Sequence, residues 1–258
     1  MKISARAILL VLLGSNFVSI APASSPRGPR YDFPERSSPG VGMWLREASR
    51  DKRGTVTHIV YNLSTMGLTP GQELSLYRWD WVMSDGVLVL AGFRVKPDGR
   101  VTCSKPPERG ISEEEIKHWC HGDLDKVKID AVGFQPGRAL RIGLISTDNQ
   151  QKAFAEIIPF PIESEDRGCR LVAERLSEDA GTWAIRGDGF MPGEVVHYVW
   201  KGPGNSLKRD VTVTEKGGLA LMVRPPGSGA DGGTVTFKVK AAACEPILRF
   251  SWTVMAHR

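Results

Sequence analysis

The chain has 258 residues, 41% of them hydrophobic and 24% charged, with four cysteines and a formal net charge of +5. That apolar content suits globular cores and argues against a chain disordered throughout, and the length leaves room for two domains of ordinary size. The charge is too mild to demand a nucleic-acid or membrane partner.

Lys2 and Arg6 precede an unbroken apolar run from Ala7 to Leu13, and Ala21-Pro22-Ala23 offers small residues for cleavage. The run is too short to span a bilayer as a helix, so residues 1–23 read as a secretory signal cut after Ala23. An uncleaved N-terminal anchor is the other reading. Cleavage removes two cations and no acid, leaving +5 − 2 = +3. No later stretch is apolar enough to be a transmembrane helix, and the expected location is periplasmic or secreted.

Residues 24–54 carry Pro26, Pro29, Pro34 and Pro39 among Arg, Ser and Gly. Proline denies both a helix interior and a central strand, so this stretch reads as a disordered basic arm. Met43-Trp44-Leu45 within it reads as a short amphipathic turn or a sticky patch.

A first domain is expected over 55–163. Its predicted strands are 55–62, 73–82, 87–96, 127–132, 139–146 and 153–160, each bounded by a turn signal such as Ser84-Asp85-Gly86 or Pro97-Asp98-Gly99. Residues 108–126 break the pattern. Ser112-Glu113-Glu114-Glu115 has the form of a capping box, Ile116 and Trp119 fall at helical spacing to face inward, and Gly122 is placed to end a short inserted helix. Residues 163–168 read as a polar linker. A second domain is expected over 168–256, with strands at 169–175, 182–186, 194–201, 208–214, 218–223, 234–240 and 247–253. Seven short strands in under a hundred residues predict an immunoglobulin-type sandwich.

The two halves repeat one another. Gly67-Leu68-Thr69-Pro70-Gly71-Gln72 matches Gly189-Phe190-Met191-Pro192-Gly193-Glu194, and Lys96-Pro97-Asp98-Gly99 matches Thr214-Glu215-Lys216-Gly217. Pro106-Pro107 matches Pro225-Pro226, so the offset drifts only from 193 − 71 = 122 to 225 − 106 = 119. What is repeated is scaffold, which points away from an enzyme. A third copy of the turn, Gly133-Phe134-Gln135-Pro136-Gly137, lies outside this alignment. The Gly-Phe-x-Pro-Gly-Glu string and the later glycine turns resemble bacterial extracellular immunoglobulin-like domains in tandem. That resemblance implies an all-β fold of two sandwiches in an adhesive, spacer or ligand-binding module, and carries over no catalytic residue.

Four cysteines in an exported chain read as two disulfides. Three pairings are possible, and Cys103–Cys120 with Cys169–Cys244 keeps each bridge inside one repeat. Tyr77, Trp79 and Trp81 alternate on one face of a strand, with Leu74, Leu76 and Val82 on the other. If the leucines point inward, the aromatics line an outer face and, with Trp119, form a partner-binding surface; otherwise the insert, through Ile116 and Trp119, covers them. The expected partner is a protein or a cell-envelope component. The alternative is a carbohydrate, a polysaccharide included, stacked on the aromatics. A third reading is a metal-dependent hydrolase at His118 and His121, opposed by the oxidised cysteines beside them. No nucleophile elbow occurs, and neither cofactor nor metal is expected. Trp183 and Trp252 read as core, and Trp200 as half exposed.

Overall fold

The computed structural model describes residues 36–81, 84–107, 110–178, 181–224 and 232–253. The signal peptide, the arm as far as residue 35 and Pro225-Pro226 lie outside the described residues.

The first half is built from eight strands: β1 (Gly42–Arg53), β2 (Val56–Met66), β3 (Glu73–Trp79), β4 (Val87–Val95), β5 (Val101–Cys103), β6 (Lys128–Val132), β7 (Leu140–Ser146) and β8 (Lys152–Ile157). They form two sheets, β1-β2-β6 and β5-β4-β3-β7-β8. One core lies between them: Ile59, Tyr61 and Leu63 of β2 meet Leu74 and Leu76 of β3, Phe93 of β4, and Ile142 and Leu144 of β7. Between β5 and β6 runs a helix, α1 (Glu113–Lys117).

The second half adds β9 (Ile162–Asp166), β10 (Cys169–Arg175), β11 (Trp183–Asp188), β12 (Val195–Gly202), β13 (Asn205–Thr212), β14 (Leu219–Val223), β15 (Gly232–Lys240) and β16 (Ile247–Thr253). The sheets are β14-β11-β10-β9 and β13-β12-β15-β16. Their shared core packs Leu171, Trp183 and Ile185 against Val196, Trp200, Phe237 and Phe250. The chain is therefore all-β, with strands paired antiparallel.

Apart from β5 and β9, each an extra edge strand, the strand order is the same in both halves, although the sequence alignment matches β5, which borders β4, to β14, which borders β11. Sheets β1-β2-β6 and β4-β3-β7-β8 correspond to β10-β11-β14 and β13-β12-β15-β16. The repeated turns explain why. Gly67 and Gly71 take φ of 74° and 88°, and Gly189 and Gly193 take 79° and 74°. These are left-handed values that favour glycine. The bonds recur too. Gly71 N donates to Val95 O (2.8 Å) as Gly193 N does to Val213 O (3.2 Å). Lys96 N donates to Arg100 O as Thr214 N does to Gly218 O, both at 2.8 Å. A Cβ on Gly67 would strike the carbonyl of Gly40, and one on Gly189 the carbonyl of Gly168.

Three expectations need correction. Residues 42–53 of the supposed arm form β1, which pairs with β2 from Gly42↔Met66 to Arg53↔Val56. It is an edge strand whose residues beyond Leu45 are exposed, which is why its sequence looks unstructured. Just before it, Ser37 and Ser38 bond the backbone of β8 at Phe154 and Lys152. The supposed linker is β9, paired with β10 and closed by the Arg167-Gly168 turn. Trp200 is buried, with 1% exposure, in the second core. Cys103 is joined to Cys120 and Cys169 to Cys244, each bridge within one half.

Candidate functional site

The aromatic strand does not present an open row. Leu74 and Leu76 point into the core, so Tyr77 and Trp79 lie on the outer face of β3. Trp79 is only 1% exposed. It packs edge-on to Phe154 (5.9 Å between centroids) and beside Tyr77 (6.1 Å). Gly143 makes this possible, because a Cβ there would lie 2.7 Å from the Phe154 ring. Burial pushes the Tyr77 phenol above its usual pKa, partly offset by a bond with Ser75.

Nor does the inserted segment cover these rings. Ser112 caps α1 as a full capping box with Glu115, but Ile116 is 48% exposed. Trp119 instead lies against Gly92 of β4, where any Cβ would enter its ring, and donates from Nε1 to Ser104 O at 2.9 Å. Of the four expected partner-binding aromatics, Trp79 is sealed, Trp119 closes the edge of the first core, and Tyr77 and Trp81 are half-buried.

Trp81 belongs to the junction between the halves. Arg138 lies 4.6 Å above its ring and 4.8 Å from Phe134, and Arg175 lies 5.6 Å from Trp81. The third glycine turn makes this contact. Gly137 N donates to Phe160 O (2.9 Å), and Arg175 N donates to Gly137 O (2.8 Å). Arg175 also reaches the Gln135 side chain. Gly137 takes φ +78°, and a Cβ there would press on Trp183 and Ala173 of the second half.

Beside the turn, four charges close a ring. Arg141 of β7 binds Glu156 of β8 (2.7 Å) and Glu174 of β10, while Arg186 of β11 binds Glu174 (2.7 Å) and Glu156 (3.2 Å). Each half gives one cation and one anion. Arg141 and Glu174 are each 1% exposed. Burial pulls Arg141 below the usual guanidinium range, and the charge of Glu156 opposes that. Both buried charges depend on the ring, since an unpaired one would face the full desolvation cost.

Around the insert, the disulfide takes both cysteine thiols out of any donor set. His118 Nδ1 lies 3.3 Å from Val89 O, and His121 is exposed. Among the described residues no three His, Cys, Asp or Glu side chains gather as a metal site. A cavity of about 470 Å³ opens at the far end of the first half, between the Gly67 turn, Asp98–Arg100 and Asp123–Asp125. Arg100 there is held by Asp98 at 2.7 Å.

The open surface is the outer face of the β13-β12-β15-β16 sheet. Cross-strand register places Lys208 beside Val199, Val199 beside Lys238, and Lys238 beside Ile247. One row on, Lys201 sits beside Thr236 and Thr236 beside Arg249. Lys240 flanks His197, whose Nδ1 lies 2.5 Å from Asp210. Lys201, Lys208, Lys240 and Arg249 are exposed, and Lys238 is half-buried. Alternation in the sequence already places Lys238 and Lys240 on one face, and Lys201 on the outer face of its own strand. Lys208 and Arg249 join them only once strand neighbours are known. Tyr77 and Trp79 of the first half occupy the positions that Val199 and Lys201 hold here, so the two copies have diverged at this face.

No family model matches the chain, and no curated protein does. One solved structure, described as a tetra-tandem repeat in the extending region of a large adhesion protein, aligns over 83% of this chain and 49% of its own. Identity is 11% and the TM-score 0.27. The chain thus spans about half that structure's length, and a likeness this slight supports nothing further.

Proposed function

We propose that this is an exported, non-enzymatic binding or structural protein, built from two immunoglobulin-like sandwiches held as one body, and that it engages a protein or a cell-envelope component. With β5 and β9 left aside, the first, second and fifth strands of each half form one sheet and the third, fourth, sixth and seventh the other. Immunoglobulin domains of the constant type differ in one respect, keeping the fourth strand beside the fifth. No helix among the described residues is long and apolar enough to cross a membrane. Two disulfides suit an oxidising compartment.

The observation that carries this reading is the divergence of equivalent faces on a repeated scaffold. Corner hydrogen bonds are retained in both copies, while the outer face of β3 is packed with aromatics and that of β12 bears lysine. A scaffold kept while one outer face changes is what a site grafted on a repeated fold would produce. The carbohydrate alternative through Tyr77, Trp79 and Trp81 is weakened, since Trp79 is sealed and Arg138 stacks on the Trp81 ring. Cosedimentation of the purified chain with isolated cell envelopes tests the proposal. Saturable retention is expected, and retention that never saturates, or none, contradicts it.

A further inference from the structure

We propose that the outer face of the β13-β12-β15-β16 sheet binds an acidic polysaccharide, with Lys201, Lys238 and Arg249 gripping its anionic groups around an apolar-floored hollow. The inference rests on the binding-module reading and names its ligand class. The hollow measures about 240 Å³ and is lined by those three cations with Val199, Thr236 and Ile247. Neighbouring strands lie about 5 Å apart, and alternate residues along a strand about 7 Å. The cations therefore form a grid rather than a point, suited to a chain with repeated charges. Lys208 and Lys240 extend it on two sides.

Two acids temper the field. Glu245 binds Lys238 Nζ at 2.6 Å, and Asp210 is occupied by His197. Against five cations, these leave the face strongly positive.

The chemistry separates a sugar polymer from other polyanions. Among the described residues no Trp, Tyr or Phe lies on this face to stack a base, as single-stranded nucleic acid requires, and the imidazole of His197 is held by Asp210. Four of the five cations are lysines, point charges rather than the planar forks that clamp phosphates in two-point fashion. The longest groups on the face are amines and a guanidinium, and the exposed apolar side chain there, Val195, is too short to lead into a bilayer. Val199 and Ile247 are half-buried between them and give the hollow a floor for the C–H face of a sugar ring. A hollow this small takes one ring-sized group, far less than a protein interface covers.

Titration calorimetry of the full mature chain with polygalacturonate and with dextran sulfate tests this. Neutral dextran, polyglutamate, duplex DNA and phosphatidylglycerol vesicles serve as comparators. At least one acidic polysaccharide should bind more tightly than every comparator. The Lys201→Gln/Lys238→Gln/Arg249→Gln variant, shown folded by circular dichroism, should bind at least about tenfold more weakly. The slope of log affinity against log salt should shrink by roughly 2, at about 0.7 per lost contact. Arg46→Gln/Lys52→Gln/Arg53→Gln, on exposed β1, should bind as the parent does. The proposal is overturned if neither polysaccharide binds, if a comparator binds more tightly, or if the β1 variant weakens equally. If the triple variant still cosediments normally with envelopes, this site falls while the module reading stands; if the parent does not cosediment, that reading falls.

Discussion

Arg141 and Glu174 decide whether the halves act as one body. Each is 1% exposed, and each binds one partner in its own half and the other across the junction. Deleting one leaves the other buried with a single remaining partner, and about 3–5 kcal/mol, the cost of a wholly unpaired buried charge, is the upper bound. We therefore expect Glu174→Ala or Arg141→Ala to lose stability in denaturant unfolding, by up to that much. Arg141→Met/Glu174→Leu keeps Glu156 and Arg186 paired, and should cost much less than the sum of the single changes. Gly189 makes a second test at this scale. With φ +79° and the Gly168 carbonyl in the way, Gly189→Ala should destabilise the protein by more than about 1 kcal/mol. A thermal-unfolding midpoint unchanged from the parent would refute it. The glycine turns were legible in the sequence because only glycine tolerates those angles cheaply. The ion ring was not, although Arg141 within Leu140-Arg141-Ile142-Gly143-Leu144 was a signal: a charge inside an apolar strand needs a partner.

Individual strands were read well where alternation or turns marked them, and missed where they lie on edges. β1 and β9 are rich in charge because each borders its sheet, so neither shows the apolar alternation of a half-buried strand. Yet β9 has consequences. It reverses the chain, so that β10 runs toward the junction as β1 does, leaving the repeated corner turns at the two ends away from it. Asp166 of β9 ties this strand to the last hairpin by accepting from Glu245 N at 2.6 Å. That bond first, and Arg167 second, holds the Asp166 carboxyl below its usual range. A depressed folded-state value means the carboxylate stabilises the fold above about pH 4 and stops doing so as pH falls through the depressed value. The melting temperature of Asp166→Ala should therefore lie below the parent's at neutral pH, and the gap should close on acidification beneath that point. A gap independent of pH would refute the role of charge. The Cys169–Cys244 bridge spans 75 residues against 17 for Cys103–Cys120. On the chain-entropy model these contribute about 4.5 and about 3 kcal/mol. Removing them singly by Cys→Ala pairs should rank the losses in that order.

At the scale of the whole molecule, two pairs of sheets with similar strand order meet through a surface that neither half repeats. The third glycine turn and the ring of four charges supply it, and both draw residues from each side. Such fusion keeps the cationic face of the second half at a fixed angle to the first. Nitrogen-15 relaxation of the purified chain tests this most directly. One rotational diffusion tensor should fit backbone amides of both halves, and Glu174→Ala should split it into two. Halves that tumble independently in the parent protein would contradict the account.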